Sequence, residues 1–210
     1  MTMIFMKTGN QSLLKLGVTG GIGSGKTSVC RVFSVLGIPV FSADNEAREV
    51  MDIDTGIMLR INTIVGKNLY LNGNLDRVEL ARLIFNNNRL LEKVNSLVHP
   101  IVFARFREWE KKQSAPYVIM EAAILFESGA DKVVDRILTV IAPIEERVGR
   151  VIHRSSLTRE QVMERMRNQI DDSERIKRSD YIIQNSENDM IIPAILRIHN
   201  DILESVKTPD

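Results

Sequence analysis

The chain has 210 residues, long enough for one good core with an inserted lobe. Its 44% hydrophobic and 26% charged residues are a globular balance, and a net charge of +1 sets up no global field toward nucleic acid or a membrane surface. No apolar run approaches the ~20 residues of a membrane span, and the single cysteine, Cys30, cannot close an internal disulfide, which predicts a reducing, cytoplasmic setting and a buried structural thiol.

In chain order, residues 1–12 read as an N-terminal extension. Met3 and Met6 are alternative starts, and Ile4-Phe5-Met6 is too short for a signal-peptide core. Leu14–Thr19 has the pattern of a buried parallel strand. Gly20-Gly21-Ile22-Gly23-Ser24-Gly25-Lys26-Thr27 follows and fits the phosphate-loop pattern G-x-x-x-x-G-K-[ST], with a helical run from Ser28 behind it. Glycines let main-chain N–H groups close around phosphate oxygens, and the helix start adds partial positive charge. Lys26 places a full charge on the outer phosphates, and Thr27 offers a hydroxyl to Mg²⁺. The loop implies ATP or GTP without saying what the phosphate is used for.

A second strand, Ile38–Phe41, leads into Ser42-Ala43-Asp44. Ligands of open parallel sheets sit beyond the carboxyl ends of strands, which makes Asp44 the best acidic candidate; it is equally placed to cap a helix over Asn45–Met51, and the two roles are compatible. About seventy residues without a convincing strand come next. Asp76 and Glu79 have capping-box spacing; Leu80, Leu83 and Ile84, then Leu90, Leu91, Val94, Leu97 and Val98, recur at helical intervals. Pro100 suits the first turn of a further helix bearing Val102, Phe106 and Trp109. His99 is either a structural histidine or a ligand contact, whereas His153 and His199 have no partner in sequence.

The third strand, Tyr117–Glu121, ends on a carboxylate that either holds Mg²⁺ or its water or is a buried structural acid. The remaining strands are Arg136–Ile141 and Tyr181–Gln184. Between them lies a charged helical arm in which Ser156 or Thr158 can cap the second helix. Arg147, Arg150 and Arg154 share one helical face, either facing polyphosphate or simply solvated, because residues 145–180 carry nine Lys/Arg against eight Asp/Glu. Asp189–Val206 reads as a closing amphipathic helix. The predicted organisation is a core of 13–44, 115–145 and 179–210, a helical insertion of 45–114, and a lid of 146–178. That combination resembles a small-molecule kinase.

Several stretches are similar to the dephospho-coenzyme A kinase family over about residues 14–190. They are Thr19–Lys26, Ser42-Ala43-Asp44, Gly73-Asn74-Leu75-Asp76-Arg77 with Leu80 and Phe85, Leu91-Glu92, His99-Pro100, Ile124-Leu125-Phe126-Glu127, Arg150 and Arg154, Gln169, and Asp180–Asn185. The resemblance implies an α/β, P-loop NTPase three-layer fold with a five-stranded parallel sheet, a helical substrate-binding insertion and a helical lid. It implies transfer of phosphate from ATP, with Mg²⁺, to the 3′-hydroxyl of the dephospho-coenzyme A ribose. Lys26, Asp44 and Arg150 are then catalytic. Gly21, Ile22, Gly23, Ser24, Gly25, Lys26, Thr27 and Ser28 bind ATP together with Arg150, Arg154 and Asn185, and Thr27 reaches the metal. Asp44, Arg77, His99, Leu125, Phe126 and Glu127 bind the acceptor between core and insertion. No nucleic-acid or membrane partner is implied, and a monomer or weak oligomer is expected.

Three positions depart from the family pattern: Ser42 replaces its first Asp, leaving Asp44 the one acid of that motif; Ala122-Ala123 replace Pro-Leu; and no glycine follows Asn185. Another nucleoside or metabolite kinase shares the loop and the arm but not Leu75-Asp76-Arg77 and His99-Pro100. A GTPase needs N-K-x-D and D-x-x-G, and neither occurs.

Overall fold

The structure is a computed structural model that describes residues 13–71, 73–85 and 87–207. The N-terminal extension expected over residues 1–12 lies outside the described residues. Contacts divide the chain into two units, Met1–Phe41 with Glu110–Asp210, and Ser42–Trp109.

The first unit is built on β1 (Leu14–Thr19), β2 (Val40–Ser42), β5 (Tyr117–Glu121), β6 (Arg136–Ile141) and β7 (Tyr181–Gln184), in the order β2-β5-β1-β6-β7. β1 pairs in parallel with both β5 and β6, and β6 with β7. Alternation along the strands sends Leu16, Val18, Tyr117, Ile119, Leu138, Val140 and Ile183 into one apolar core. Two helices cover that face, α1 (Lys26–Val35) through Val29, Cys30 and Phe33, and α9 (Ile191–Lys207) through Ile195, Ile198 and Ile202. On the opposite face Gly17 leaves just enough room for Leu125 and Val134: a Cβ there would lie 2.7 Å from Leu125 Cδ1. Cys30 is buried and free, and burial pushes its thiol well above the ordinary range. His199, without a partner in sequence, meets the fully buried Tyr117, whose hydroxyl lies 2.8 Å from its Nδ1.

The second unit contains α2 (Ala43–Ile53), α3 (Thr55–Val65), α4 (Arg77–Phe85) and α5 (Asn88–Glu110). Asp54 caps α3 by accepting from the Ile57 N–H, and Asp76 does the same for α4 from Glu79. The Glu79 carboxylate turns to Arg82 and Lys67, which hold it at about 2, well below the usual range. Two differences from the sequence reading have physical causes. A short antiparallel pair, β3 (Tyr70–Leu71) and β4 (Asn74–Leu75), lies where no strand was expected; two-residue strands are too short to show periodicity. Pro100 does not begin a helix but sits inside α5. An interior proline costs about 3 kcal/mol. It is offset by one unbroken buried stripe, Val94, Leu97, Val98, Val102 and Phe106, which burial favours by roughly 1.5–3 kcal/mol per large side chain.

The boundaries also shift. The helical unit begins at Ser42, because α2 follows β2 without a loop, and Asp44 therefore lies in its first turn. The arm expected as a lid is α6 (Ile144–Arg154), α7 (Arg159–Arg167) and α8 (Asp172–Lys177), and it clusters with the sheet unit. Thr158 caps α7 in a full capping box with Gln161. Tyr117→Phe is expected to cost about 1 kcal/mol, a single hydrogen bond, and to lower the thermal midpoint by roughly 2–4 °C. An unchanged midpoint in a thermal melt overturns that role for the Tyr117–His199 bond.

Candidate active site

β1 delivers the chain into Gly20–Gly25, and α1 starts at Lys26. Gly20, Gly23 and Gly25 all have positive φ, at 151°, 80° and 94°. Crowding excludes side chains as firmly as the backbone does. A Cβ at Gly20 would lie 2.2 Å from the Val140 carbonyl oxygen, at Gly23 2.5 Å from that of Arg147, and at Gly25 2.0 Å from Asn185 Nδ2. These glycines are therefore required by their neighbours and not only by a bound ligand. Inside the loop the Ser24 hydroxyl is buried without a hydrogen-bond partner among the described residues. Lys26 Nζ donates to the Gly20 carbonyl at 2.7 Å.

The register β1–β5 sets Val18 opposite Glu121. That brings the Glu121 carboxylate to the first turn of α1, where the Thr27 hydroxyl donates to Oε1 at 2.8 Å. Of the two readings left open for Glu121, the structure favours neither by burial, since the residue is half-buried. It does join the carboxylate to the one side chain expected at the metal.

The arm meets the loop closely. Ile22 packs against Val148, Val151 and Val162 of the arm. Its N–H donates to Gln169 Oε1 at 2.9 Å, and its carbonyl accepts from Arg147 Nε at 3.0 Å. Ile22, expected among the ATP ligands, thus has both main-chain groups committed within the protein. Asn185 donates from Nδ2 to the Ser24 carbonyl at 2.7 Å, and its own carbonyl accepts from Arg150 Nη2 at 2.9 Å. Arg150 is steadied further by Glu146 at 2.9 Å, while its Nη1 is buried with no hydrogen-bond partner among the described residues. Arg154 is exposed.

The three arginines of that helical face therefore have three different settings. Arg147, which the family resemblance did not single out as it did Arg150 and Arg154, is 5% exposed and lies under the loop. Arg147 and Gln169 were missed as loop contacts because their reach depends on the fold of α6 and the turn before α8. The only signal available was the resemblance of Gln169 to a family position.

Among the residues expected at the acceptor, Leu125 and Glu127 have contacts of their own within the protein. Leu125 is fully buried against Gly17 and so backs a wall instead of forming its surface. The Glu127 carboxylate accepts from the Ile170 N–H at 3.1 Å and lies 3.8 Å from Arg175 of the arm. The Phe126 ring is covered by the Arg178 guanidinium at 4.2 Å. In the helical unit, Asp44 on α2 and His99 on α5 are close enough to interact. Burial drives the His99 imidazole below its ordinary value, and Asp44 opposes that shift. Arg77 is tied to Asp52 at 2.6 Å and to the Arg48 carbonyl. Among the described residues no three His, Cys, Asp or Glu side chains cluster as a metal site.

Residues 14–190 match the family model for dephospho-CoA kinase. The chain belongs to the dephospho-CoA kinase family. It is 38% identical over 186 residues to a dephospho-CoA kinase of Bacteroides fragilis, covering 88% of this chain and 91% of that one. It is 34% identical to one of Porphyromonas gingivalis, over 93% and 96% of the two chains. Among solved structures, TT1252 of Thermus thermophilus superposes with a TM-score of 0.80 at 32% identity, covering 93% of this chain and 98% of the other. At the level of fold, a Campylobacter jejuni dephospho-CoA kinase (TM-score 0.61, 23% identity, 91% and 96% covered) and an Acinetobacter baumannii shikimate kinase (0.51, 16%, 92% and 95%) share the α/β architecture with its parallel sheet.

Gly25→Ala is expected to push Asn185 off Ser24 and to abolish measurable nucleotide affinity. Gly149→Ala, in the exposed part of α6 with open space around its Cβ, is expected to raise stability by about 0.5–1 kcal/mol. Calorimetric titration and thermal melts check the pair; equal affinity in Gly25→Ala and wild type contradicts the cradle. Because His99 binds a proton less readily folded than unfolded, the stability it contributes is complete above about pH 6.5 and is lost as pH falls below that. His99→Gln should flatten part of the decline in melting midpoint between pH 7 and pH 5, and an identical slope would remove His99 as a source.

Proposed function

We propose that this chain transfers the γ-phosphate of ATP to the 3′-hydroxyl of the dephospho-coenzyme A ribose, the closing step of coenzyme A synthesis. The observation that carries the reading is the family match over residues 14–190, which takes in the glycine loop, Asp44, His99 and the arginine arm. Kinases for other nucleotides or metabolite alcohols share the loop, but not the Leu75-Asp76-Arg77 and His99-Pro100 stretches.

In this reading the N–H groups of Gly23–Ser28 cradle the phosphates, Lys26 neutralises their outer charge, and the buried unpaired Nη1 of Arg150 turns to the triphosphate. Arg154 and Asn185 complete the nucleotide side. Mg²⁺ would be held by Thr27 and Glu121, whose neighbouring side-chain donors are both oxygen, as a hard cation requires. When bound, the ion spreads the charge of the β- and γ-phosphates.

Phosphoryl transfer of this kind passes through a loose transition state and asks the protein mainly for positioning. Asp44, two residues beyond β2, orients the acceptor hydroxyl and takes its proton late. His99, neutral beside it, supports that carboxylate without competing for the proton. Arg77 and Phe126 contribute to holding the acceptor. A cytoplasmic setting accords with the buried, unpaired Cys30, and among the described residues no helix is long and apolar enough to cross a membrane.

Purified protein with ATP, Mg²⁺ and dephospho-coenzyme A should yield a product heavier by one phosphate at the ribose, and AMP offered as acceptor should yield none. The reverse preference overturns the acceptor assignment. Asp44→Asn should lower kcat by about 10²–10⁴ while the KM for ATP stays within twofold; an unchanged kcat removes Asp44 from the chemistry. Glu121→Gln should raise the Mg²⁺ concentration needed for half-maximal rate, and an unaltered Mg²⁺ dependence would make Glu121 purely structural.

A further inference from the structure

The arm hydrogen-bonds the phosphate loop at Ile22. Ile22 stands between Gly21 and Gly23, which have the least conformational preference of any residues. Its N–H is taken by Gln169 and its carbonyl by Arg147, from two different stretches of the arm. Arg147 has no freedom to move away. It is 5% exposed, its Nη1 donates to Asp172 Oδ2 at 2.8 Å, and a Cβ on Gly21 would fall 1.9 Å from its Nη2. Asp172 is itself shared, because its other oxygen accepts from Nη1 of Arg175 at 2.8 Å. Arg175 is 1% exposed, and its carbonyl accepts from Ser179. A continuous chain of contacts therefore runs from the buried foot of α8 to the apex of the loop.

We propose that Arg147 and Gln169 are positioning residues that clamp Ile22 and so fix the shape of Gly23–Lys26 before ATP arrives, with Asp172 holding the clamp in place. This rests on the reading that the loop cradles ATP, and it adds how the loop keeps its form. Two glycines beside one ordinary residue cannot set that form themselves. A pair of fixed hydrogen bonds to Ile22 removes the loop's freedom in advance, so less order has to be imposed by the nucleotide. The clamp also joins arm to loop, so an arm that swings outward must release Ile22. Binding preorganised in this way is uniform: ground state and transition state gain alike, and its loss appears in KM rather than kcat.

The test is steady-state kinetics of Gln169→Ala, Arg147→Lys, the double variant and Asp172→Asn. Each single variant should raise the KM for ATP by about 5- to 30-fold, the worth of one or two hydrogen bonds. Both kcat and the KM for dephospho-coenzyme A should stay within about threefold. The double variant should fall short of the product of the two single effects, because both act through Ile22. Asp172→Asn, which touches no loop atom, should show the same signature more weakly. A lowered melting temperature with an unchanged KM for ATP, or fully multiplicative effects, overturns the clamp and leaves a plain structural strut.

Amide hydrogen exchange on the wild-type protein without nucleotide gives a second reading that needs no variant. The Ile22 amide should be protected relative to Gly23, and rapid exchange at Ile22 overturns the proposal. Lys26→Ala in the same series separates the two levels. If it leaves ATP affinity intact, the loop assignment itself fails; if it abolishes affinity while Gln169→Ala is silent, only the clamp fails.

Discussion

A loop made largely of glycine cannot hold its own shape, and the functional part of this protein is organised around that constraint. The glycines are needed because neighbouring atoms leave no room for side chains: the Val140 carbonyl beside Gly20, the Arg147 backbone beside Gly23, the Asn185 amide beside Gly25. Two of these neighbours, Arg147 and Asn185, also hydrogen-bond the loop. Asn185 steadies Ser24, Arg147 and Gln169 steady Ile22, and Lys26 closes back on Gly20. Close approach and anchorage meet at Arg147 and Asn185.

The sheet makes this possible by its strand order. β1 lies between β5 and β6, so whatever follows β1 is bordered on one side by the end of β5 and on the other by the segment after β6. From β5 comes Glu121 and its bond to Thr27; after β6 comes α6 with Arg147 and Arg150. β7, beyond β6, brings Asn185. A crossover topology of this kind collects residues separated by 94 to 161 positions.

Electrostatics is distributed unevenly to match. Charge at the surface of the helical unit is paired locally, as in Arg82 and Lys67 on Glu79, where solvent keeps its energetic weight small. The charges near the loop are different. Arg147 and Arg175 are buried on a shared carboxylate, and burial lowers the affinity of Arg147 for its proton despite the Asp172 partner. Buried pairs add little net stability but hold geometry, because breaking one leaves an uncompensated charge.

Much of this was legible in the chain. Strand positions followed from short Val- and Ile-rich runs between turn residues. The loop followed from glycine spacing with Lys26-Thr27, and the family from motifs spread over 177 positions, 14–190. Those signals are local, and local physics fixes them. Pro100 was misread because its cost is local whereas the stripe that outweighs it spans most of α5. The burial of Leu125 and the bond from Ile170 to Glu127 could not be read from the sequence, because a motif records residue types but not the direction in which side chains point. Arg147 and Arg150, three positions apart on one helix, look interchangeable in sequence; only packing places one beneath the glycine loop and turns the other to Asn185. The sequence by itself determined which elements form and which chemistry they carry. The tertiary structure alone decided which side chain meets which main-chain group, since those distances depend on how strands and helices far apart in the chain are stacked.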